Sequence, residues 1–224
     1  MARYDLADEL IKKLDAELRR EINRLDVMGF DELNAMTIKS KTEEMVERLL
    51  KANAAAFKAI AYAAMQEAVE DLDKLYGTKG KAKPIPTGNK EVDAVLKEYN
   101  PVTDYLYYPE ADRKRSRLSE ALIVAIMLQD RDKYHYQLRK FASLWHTQTK
   151  QYGDTIVDVF RGGTFKANGI KYVMWQSEHD DRVCGTCEDM NGNIYKINEI
   201  PPKPHYNCRC WIEPILKTDN KKSE

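Results

Sequence analysis

Apolar residues recur at helical spacing through the first three quarters of the chain. The clearest run is a stripe of leucine and isoleucine near the N-terminus, at Leu6, Leu10, Leu14, Leu18 and Ile22. Charged residues fill the other faces, which is the pattern of an amphipathic helix. We therefore expect a helix over residues 4–25 whose apolar face must pack against another surface.

A second, alanine-rich helix is predicted to begin near Thr37 or Thr42, and Gly77 is its predicted stop. The stretch that follows, GTKGKAKPIPTGN over residues 77–89, is rich in glycine, proline and lysine. Such a composition does not continue a helix, so it predicts a mobile loop. A short helix is expected over residues 90–99.

Two more helices are predicted in the middle of the chain. The first is the apolar stretch 111–128, and the second carries an aromatic stripe that stops at Gly162 and Gly163. The double glycine predicts the helix end at that point. His135 and His146 lie off the aromatic stripe, so both are expected to be solvated.

Beyond residue 163 the pattern changes to short strands and turns, in IKYVMWQS, MNGNIYKI and CRCWIEPIL. The predicted fold class is therefore α+β. A mainly helical body over residues 1–163 precedes a small β-containing C-terminal module over residues 164–216 and a polar tail over 217–224. A module of this size buries few side chains, so we expect a cross-link, such as a bound metal ion, rather than a core to hold it together.

Composition narrows the function classes. The 224 residues include 43% hydrophobic and 32% charged residues, which is typical of a globular protein. Thirty-six basic residues balance thirty-six acidic ones, so the chain lacks the net positive charge of a dedicated nucleic-acid binder. The N-terminus has no long apolar region typical of a signal peptide. The densest apolar run, ALIVAIML, is too short to span a bilayer.

The chain's four cysteines form two close pairs near the C-terminus, and a histidine precedes the second pair. The five candidate ligands are Cys184, Cys187, His205, Cys208 and Cys210. Two thiolates separated by two residues present both sulfurs on one side of a tight turn, and a second cluster completes a tetrahedron around zinc. The spacing thus predicts a structural Zn²⁺ site that uses four of the five, without deciding which four.

Several alternatives remain at this stage. The cysteines could pack unligated as small hydrophobic residues, or form disulfides if the protein meets oxidising conditions. CGTC also has the spacing of a dithiol redox site, although no βαβ pattern surrounds it. A zinc-stabilised metal-dependent nuclease is a further alternative, but no second histidine lies near His205.

The same region resembles a known family. WQSEHDDRVCGTCEDMNGNIY and PPKPHYNCRCWIEPI are similar to the C-terminal signature of the Mu F-like phage head morphogenesis proteins, also called minor head or minor capsid proteins of tailed phages. The residues that fit this signature are Trp175, Asp181, Arg182, Cys184, Cys187, Asn191, Gly192, Pro204, His205, Cys208, Arg209 and Cys210. The resemblance is specific over residues 173–214.

The resemblance implies a structural protein rather than an enzyme. It would be associated with the portal vertex of a phage or prophage head and act in head morphogenesis and DNA ejection. The implied partners are the portal protein and other capsid proteins. The implied location is the host cytoplasm before assembly, and then the procapsid or virion interior near the portal. The helix over residues 4–25 would pack on the helical body, on the portal or on a sister subunit in a homo-oligomer.

Basic residues in two segments are candidates for weak, non-specific, salt-sensitive DNA contact. They are Lys79, Lys81 and Lys83 in the loop and Arg113, Lys114, Arg115 and Arg117 at the start of a helix. Acidic residues flank the second group, so a solvated helix start is the competing interpretation.

Overall fold

A computed structural model describes residues 5–28, 30–77, 80–83, 107–178, 180–204 and 208–216. The helices in this part are α1 (Asp5–Asp26), α2 (Ala35–Tyr76), α3 (Tyr107–Met127), α4 (Arg131–Ala167) and the short α5 (Gly185–Met190), with a 3-10 turn at Phe30–Glu32. The strands are β1 (Tyr172–Gln176), β2 (Ile194–Lys196) and β3 (Trp211–Ile215). The α+β prediction is confirmed, because the chain is mostly helical with a small C-terminal antiparallel sheet.

The ends of α2 follow from local chemistry. The Asn34 side chain accepts the backbone N–H of Thr37 at 2.9 Å and caps the first turn. The helix begins at Ala35, just before the start predicted near Thr37 or Thr42. At the other end Gly77 adopts φ 62°, a left-handed conformation that glycine reaches without steric cost. The predicted stop at Gly77 is therefore confirmed.

The predicted end of α4 at Gly162 and Gly163 is wrong, because the helix runs on to Ala167. A mid-helix glycine costs about 1 kcal/mol relative to alanine. The next turn buries Thr164 and Phe165 completely, and this packing outweighs the cost. Helices α1, α2, α3 and α4 together form the helical body.

The apolar face of α1 packs inside the chain, against α2 and α4. Ile11, Leu14, Leu18 and Leu25 belong to the main core cluster, whereas the side chain of Leu6 lies outside the described part. The helical body is thus the partner of the N-terminal stripe. Association of α1 with a portal or a sister subunit, and hence a homo-oligomer, stays a prediction.

Polar contacts also attach α1 to the body. The buried Glu21 carboxylate accepts a hydrogen bond from Arg48 Nε at 2.9 Å. The Nδ1 atoms of His135 and His146 lie 2.5 Å from Asp26 and 2.6 Å from Asp15 respectively. The two histidines were expected to be solvated; their side chains are 39% and 43% exposed, and each also contacts an aspartate of α1. Helix periodicity does not reveal such contacts between distant helices.

The three strands form an antiparallel sheet in the order β2-β1-β3. All three lie within the stretches that the sequence predicted as strands. Val173 of β1 pairs with Tyr195 of β2, and Trp175 of β1 pairs with Ile212 of β3. Alternation along β1 and β3 directs Val173, Trp175 and Ile212 into the protein interior.

The expectation that a cross-link rather than a core holds the C-terminal module together needs correction. The buried side chains of the sheet form a cluster with Ala68 and Leu72 of α2 and Phe165 of α4. The module therefore shares a core with the ends of the two longest helices. Helix α4 is continuous across the predicted domain boundary between residues 163 and 164. The division of the chain into two domains at that point stays a prediction.

Residues 80–83 of the glycine- and lysine-rich segment are held by hydrogen bonds. Gly80 and Ala82 donate their N–H groups to Asp73, and Lys83 donates its N–H to the Asn168 side chain. The rest of the predicted mobile loop, the predicted helix over 90–99 and the tail over 217–224 lie outside the described residues. Among the described helices, none combines the length and apolar character needed to cross a membrane.

Candidate metal centre

The two cysteine pairs converge in the folded chain. Cys184 precedes α5 and caps it, because its Sγ accepts the backbone N–H of Cys187 at 3.4 Å. Cys208 and Cys210 lie just before β3, which pairs with the central strand β1. The fold thus brings together thiols that are more than twenty residues apart in the sequence.

Three of the thiols form a compact buried group. The Sγ atoms of Cys187, Cys208 and Cys210 all lie within 4.8 Å of one another, and the Cys187–Cys208 pair is separated by 3.7 Å. The fourth thiol, of the half-buried Cys184, interacts with that of Cys187. All four cysteines are free thiols in this structure.

This geometry fits a thiolate-bound metal. Zinc–sulfur bonds of about 2.3 Å in a tetrahedron place the sulfurs about 3.8 Å apart, close to the Cys187–Cys208 separation. The buried group is therefore able to hold a metal ion. His205 lies outside the described residues, so the choice of four ligands among the five candidates stays a prediction.

Burial controls the charge state of these thiols. Desolvation raises the pKa of the Cys187 and Cys208 thiols, because an apolar environment disfavours the thiolate. A bound cation would reverse this effect by stabilising the thiolates. A reactive redox cysteine needs a lowered pKa, so the environment of Cys187 does not favour the dithiol redox alternative.

A salt bridge connects the two halves of the cysteine cluster. Arg209, which lies between Cys208 and Cys210, donates hydrogen bonds of 2.7 Å and 2.5 Å to the Asp180 carboxylate just before the first pair. The guanidinium holds the pKa of Asp180 well below its usual range. This pair was not predicted from the sequence, because the signature includes Arg209 but gives no partner for it.

Two other signature residues shape the turn that follows α5. The Asn191 side chain accepts the backbone N–H of Ser177 at 2.9 Å, which attaches the turn to the end of β1. Gly192 adopts φ 78°, and its N–H donates to the Trp175 carbonyl at 2.8 Å. A side chain at Gly192 would be strained in this conformation. The Asn-Gly signal in the sequence therefore marks a real turn.

The predicted DNA-contacting residues occupy separate parts of the molecule. Lys81 and Lys83 follow the end of α2, and Lys79 lies outside the described residues. On α3, Arg113 and Lys114 pair with Glu110, and Arg115 pairs with Asp112 and Glu43, whereas Arg117 is exposed. These ion pairs reduce the charge available to phosphate. DNA contact stays a prediction.

Residues 129–213 match the family model described as Phage Mu protein F like protein. This stretch, called the Mu F-like domain, is similar to that family. It runs from the residue before the Asp130 cap of α4 into β3, so it includes the long helix and the whole cysteine cluster. The resemblance to the phage head morphogenesis proteins is therefore confirmed over this part. No curated protein and no solved structure matches the chain.

A match over this stretch suggests a protein of phage head morphogenesis. This family is one of structural head proteins, which is consistent with a structural role and suggests capsid proteins as partners in the procapsid or virion. The Mu F-like domain covers about two fifths of the chain, and α1, α2 and α3 lie before it.

Proposed function

We propose that this chain is a structural minor head protein of a tailed phage or prophage. It associates with the portal vertex and acts in head morphogenesis and in delivery of the genome. The observation that supports this proposal is the extent of the Mu F-like domain, which includes both α4 and the whole cysteine cluster. These two parts also pack together in the fold, at Phe165.

Within this function the cysteine cluster binds one structural Zn²⁺. With four protein ligands the ion has no open position for a substrate or an activated water, so no catalytic role is assigned to it. The ligands come from Cys184, Cys187, His205, Cys208 and Cys210. The thiol-redox alternative lacks comparable support, because three of the four thiols are buried. The nuclease alternative lacks it because no second histidine lies near His205 in the sequence.

The zinc keeps the module in the form that other head proteins contact. The protein is made in the host cytoplasm and enters the procapsid near the portal, where it remains in the virion. Because the helical body and the module share a core, loss of the module's structure would also expose apolar side chains at the ends of α2 and α4.

Quantitative mass spectrometry of purified heads tests this proposal. We expect the chain in procapsids and mature heads at a copy number near that of the portal protein and far below that of the major capsid protein. Deletion of its gene should yield heads that assemble poorly or fail to deliver DNA, and the wild-type gene should restore them. Absence from heads, or a copy number equal to that of the major capsid protein, would refute the proposal.

A further inference from the structure

A groove of about 440 Å³ lies between α3 and α4, away from the cysteine cluster. Four cations line it: Arg113, Lys114 and Arg117 of α3, and Lys140 of α4. The only carboxylate in its described lining is Glu110, which pairs with Arg113 at 2.7 Å and with Lys114 at 3.5 Å. The lining therefore carries a net positive charge.

Two of these cations are available to a partner. Arg117 and Lys140 are both exposed, and neither forms an ion pair with any carboxylate in the described part of the chain. Arg117 lies on α3 and Lys140 on α4, so each of the two helices that line the groove carries one of them. A ligand that carries carboxylates on both sides would reach one cation on each helix.

The groove also has an apolar floor. Leu118 and Phe141 are 4% and 3% exposed and form its base, whereas Leu144 is 47% exposed. An aromatic ring as buried as that of Phe141 cannot stack on a nucleic-acid base. Leucine side chains offer nothing to a phosphate, but they suit the apolar face of a helix.

We propose that this groove binds an acidic amphipathic helix of a partner protein. Its apolar face would cover Leu144 and the floor, and its acidic flanks would pair with Arg117 and Lys140. The groove follows α3 from Glu110 to Ala121, a length of about 17 Å at 1.5 Å per residue, which matches about three turns of a bound helix. Any protein that supplies such a helix satisfies this chemistry, whichever assembly contains the chain.

A designed peptide provides the test. The probe is a fluorescein-labelled helix of about four turns, with leucine on one face and glutamate on both flanks, titrated with the full-length chain and followed by anisotropy. We expect binding in the range of about 10–100 μM. Leu144→Glu, Arg117→Glu and Lys140→Glu should each weaken binding about tenfold or more. A peptide with lysine in place of the glutamates on one flank only should regain affinity for the Lys140→Glu variant, because its other flank still pairs with Arg117.

Arg139→Glu is the matched control, because Arg139 is exposed and adjacent to Lys140 but does not line the groove. It should bind the probe like the wild type, and all variants should keep wild-type far-UV ellipticity. Four results would overturn the proposal. The first two are that the probe does not bind, or that a scrambled peptide without an apolar face binds as tightly as the probe. The other two are that Arg139→Glu weakens probe binding as much as Lys140→Glu does, or that a DNA oligonucleotide binds more tightly than the probe and the same substitutions abolish its binding.

Discussion

The helical body and the C-terminal module are stabilised in different ways. The body buries long apolar stripes from four helices around one core, with large side chains such as Phe57, Tyr134 and Trp145 fully enclosed. The module has three short strands and one short helix, and it buries its side chains partly against α2 and α4. Three buried thiols form part of its interior, beside the buried side chains of the sheet.

This difference shows how a short segment compensates for its size. A segment of about fifty residues buries too small a fraction of its surface to be stable without a cross-link, a partner surface or both. The module combines a partner surface, which the helix ends provide, with a site able to bind metal. We therefore expect the two regions to respond differently to substitutions in their interiors.

The largest effect should come from Cys187→Ser. Loss of this thiol removes one of the proposed metal ligands, and structural zinc contributes an apparent free energy of order 10 kcal/mol in small zinc domains. We expect the variant to lose its zinc and the module to become sensitive to protease, while the helical body keeps its ellipticity. Elemental analysis and proteolysis mapped by mass spectrometry measure the two outcomes.

Thr186→Ala is the matched control for this experiment, because Thr186 is the exposed neighbour of Cys187 in the same turn. It should keep one zinc per chain and a protease-resistant module. Wild-type protein purified without chelator that contains no metal, yet has a resistant module, would show that the shared core alone holds the module.

An intermediate effect is expected from Phe57→Ala in the body. Phe57 is 2% exposed and its ring lies 5.0 Å from that of Tyr152, so truncation leaves a cavity between α2 and α4. The free energy of unfolding of the body should fall by about 3–5 kcal/mol. Urea unfolding followed by far-UV circular dichroism measures this change.

Tyr136→Ala serves as the control for Phe57→Ala, since Tyr136 is 54% exposed, and its effect should stay below about 0.5 kcal/mol. The zinc content of both variants should equal that of the wild type. If Phe57→Ala also released the metal under native conditions, the two regions would be a single cooperative unit rather than two separately stabilised parts.

The smallest effect should come from Asp26→Asn. Asp26 pairs with His135 at the surface, where both side chains are about two fifths exposed, and such pairs contribute about 0.5 kcal/mol. The apolar face of α1 should keep the helix in place, so the midpoint of urea unfolding should shift only slightly. Glu120→Gln, at an exposed position of α3, is the control. Protease release of α1 from the Asp26→Asn variant would show that polar contacts, rather than packing, attach it.

Periodicity was sufficient to predict the elements but not all of their ends. The α1 stripe, the Gly77 stop and the Asn-Gly turn are local signals, and the structure confirms each. The helix end at Gly162 was wrong because burial of Phe165 is a tertiary effect that a local glycine signal does not report.

The candidate site was predictable to a similar extent. Cysteine spacing identified all four thiols that the structure brings together. The Asp180–Arg209 pair was not predictable, because its members are 29 residues apart and no pattern in one sequence relates them. The shared core was missed for the same reason, since Leu72 and Phe165 meet the sheet only in the folded chain.

The position of β3 has a consequence for biosynthesis. A ribosome releases the chain from its N-terminus, so α2, α4 and the first cysteine pair emerge before β3 and the pair Cys208 and Cys210. The thiol cluster therefore closes only when the last described strand joins β1. A polypeptide truncated before residue 208 would keep its long helices but could not assemble the cluster, so completion of the thiol site reports that translation has passed β3.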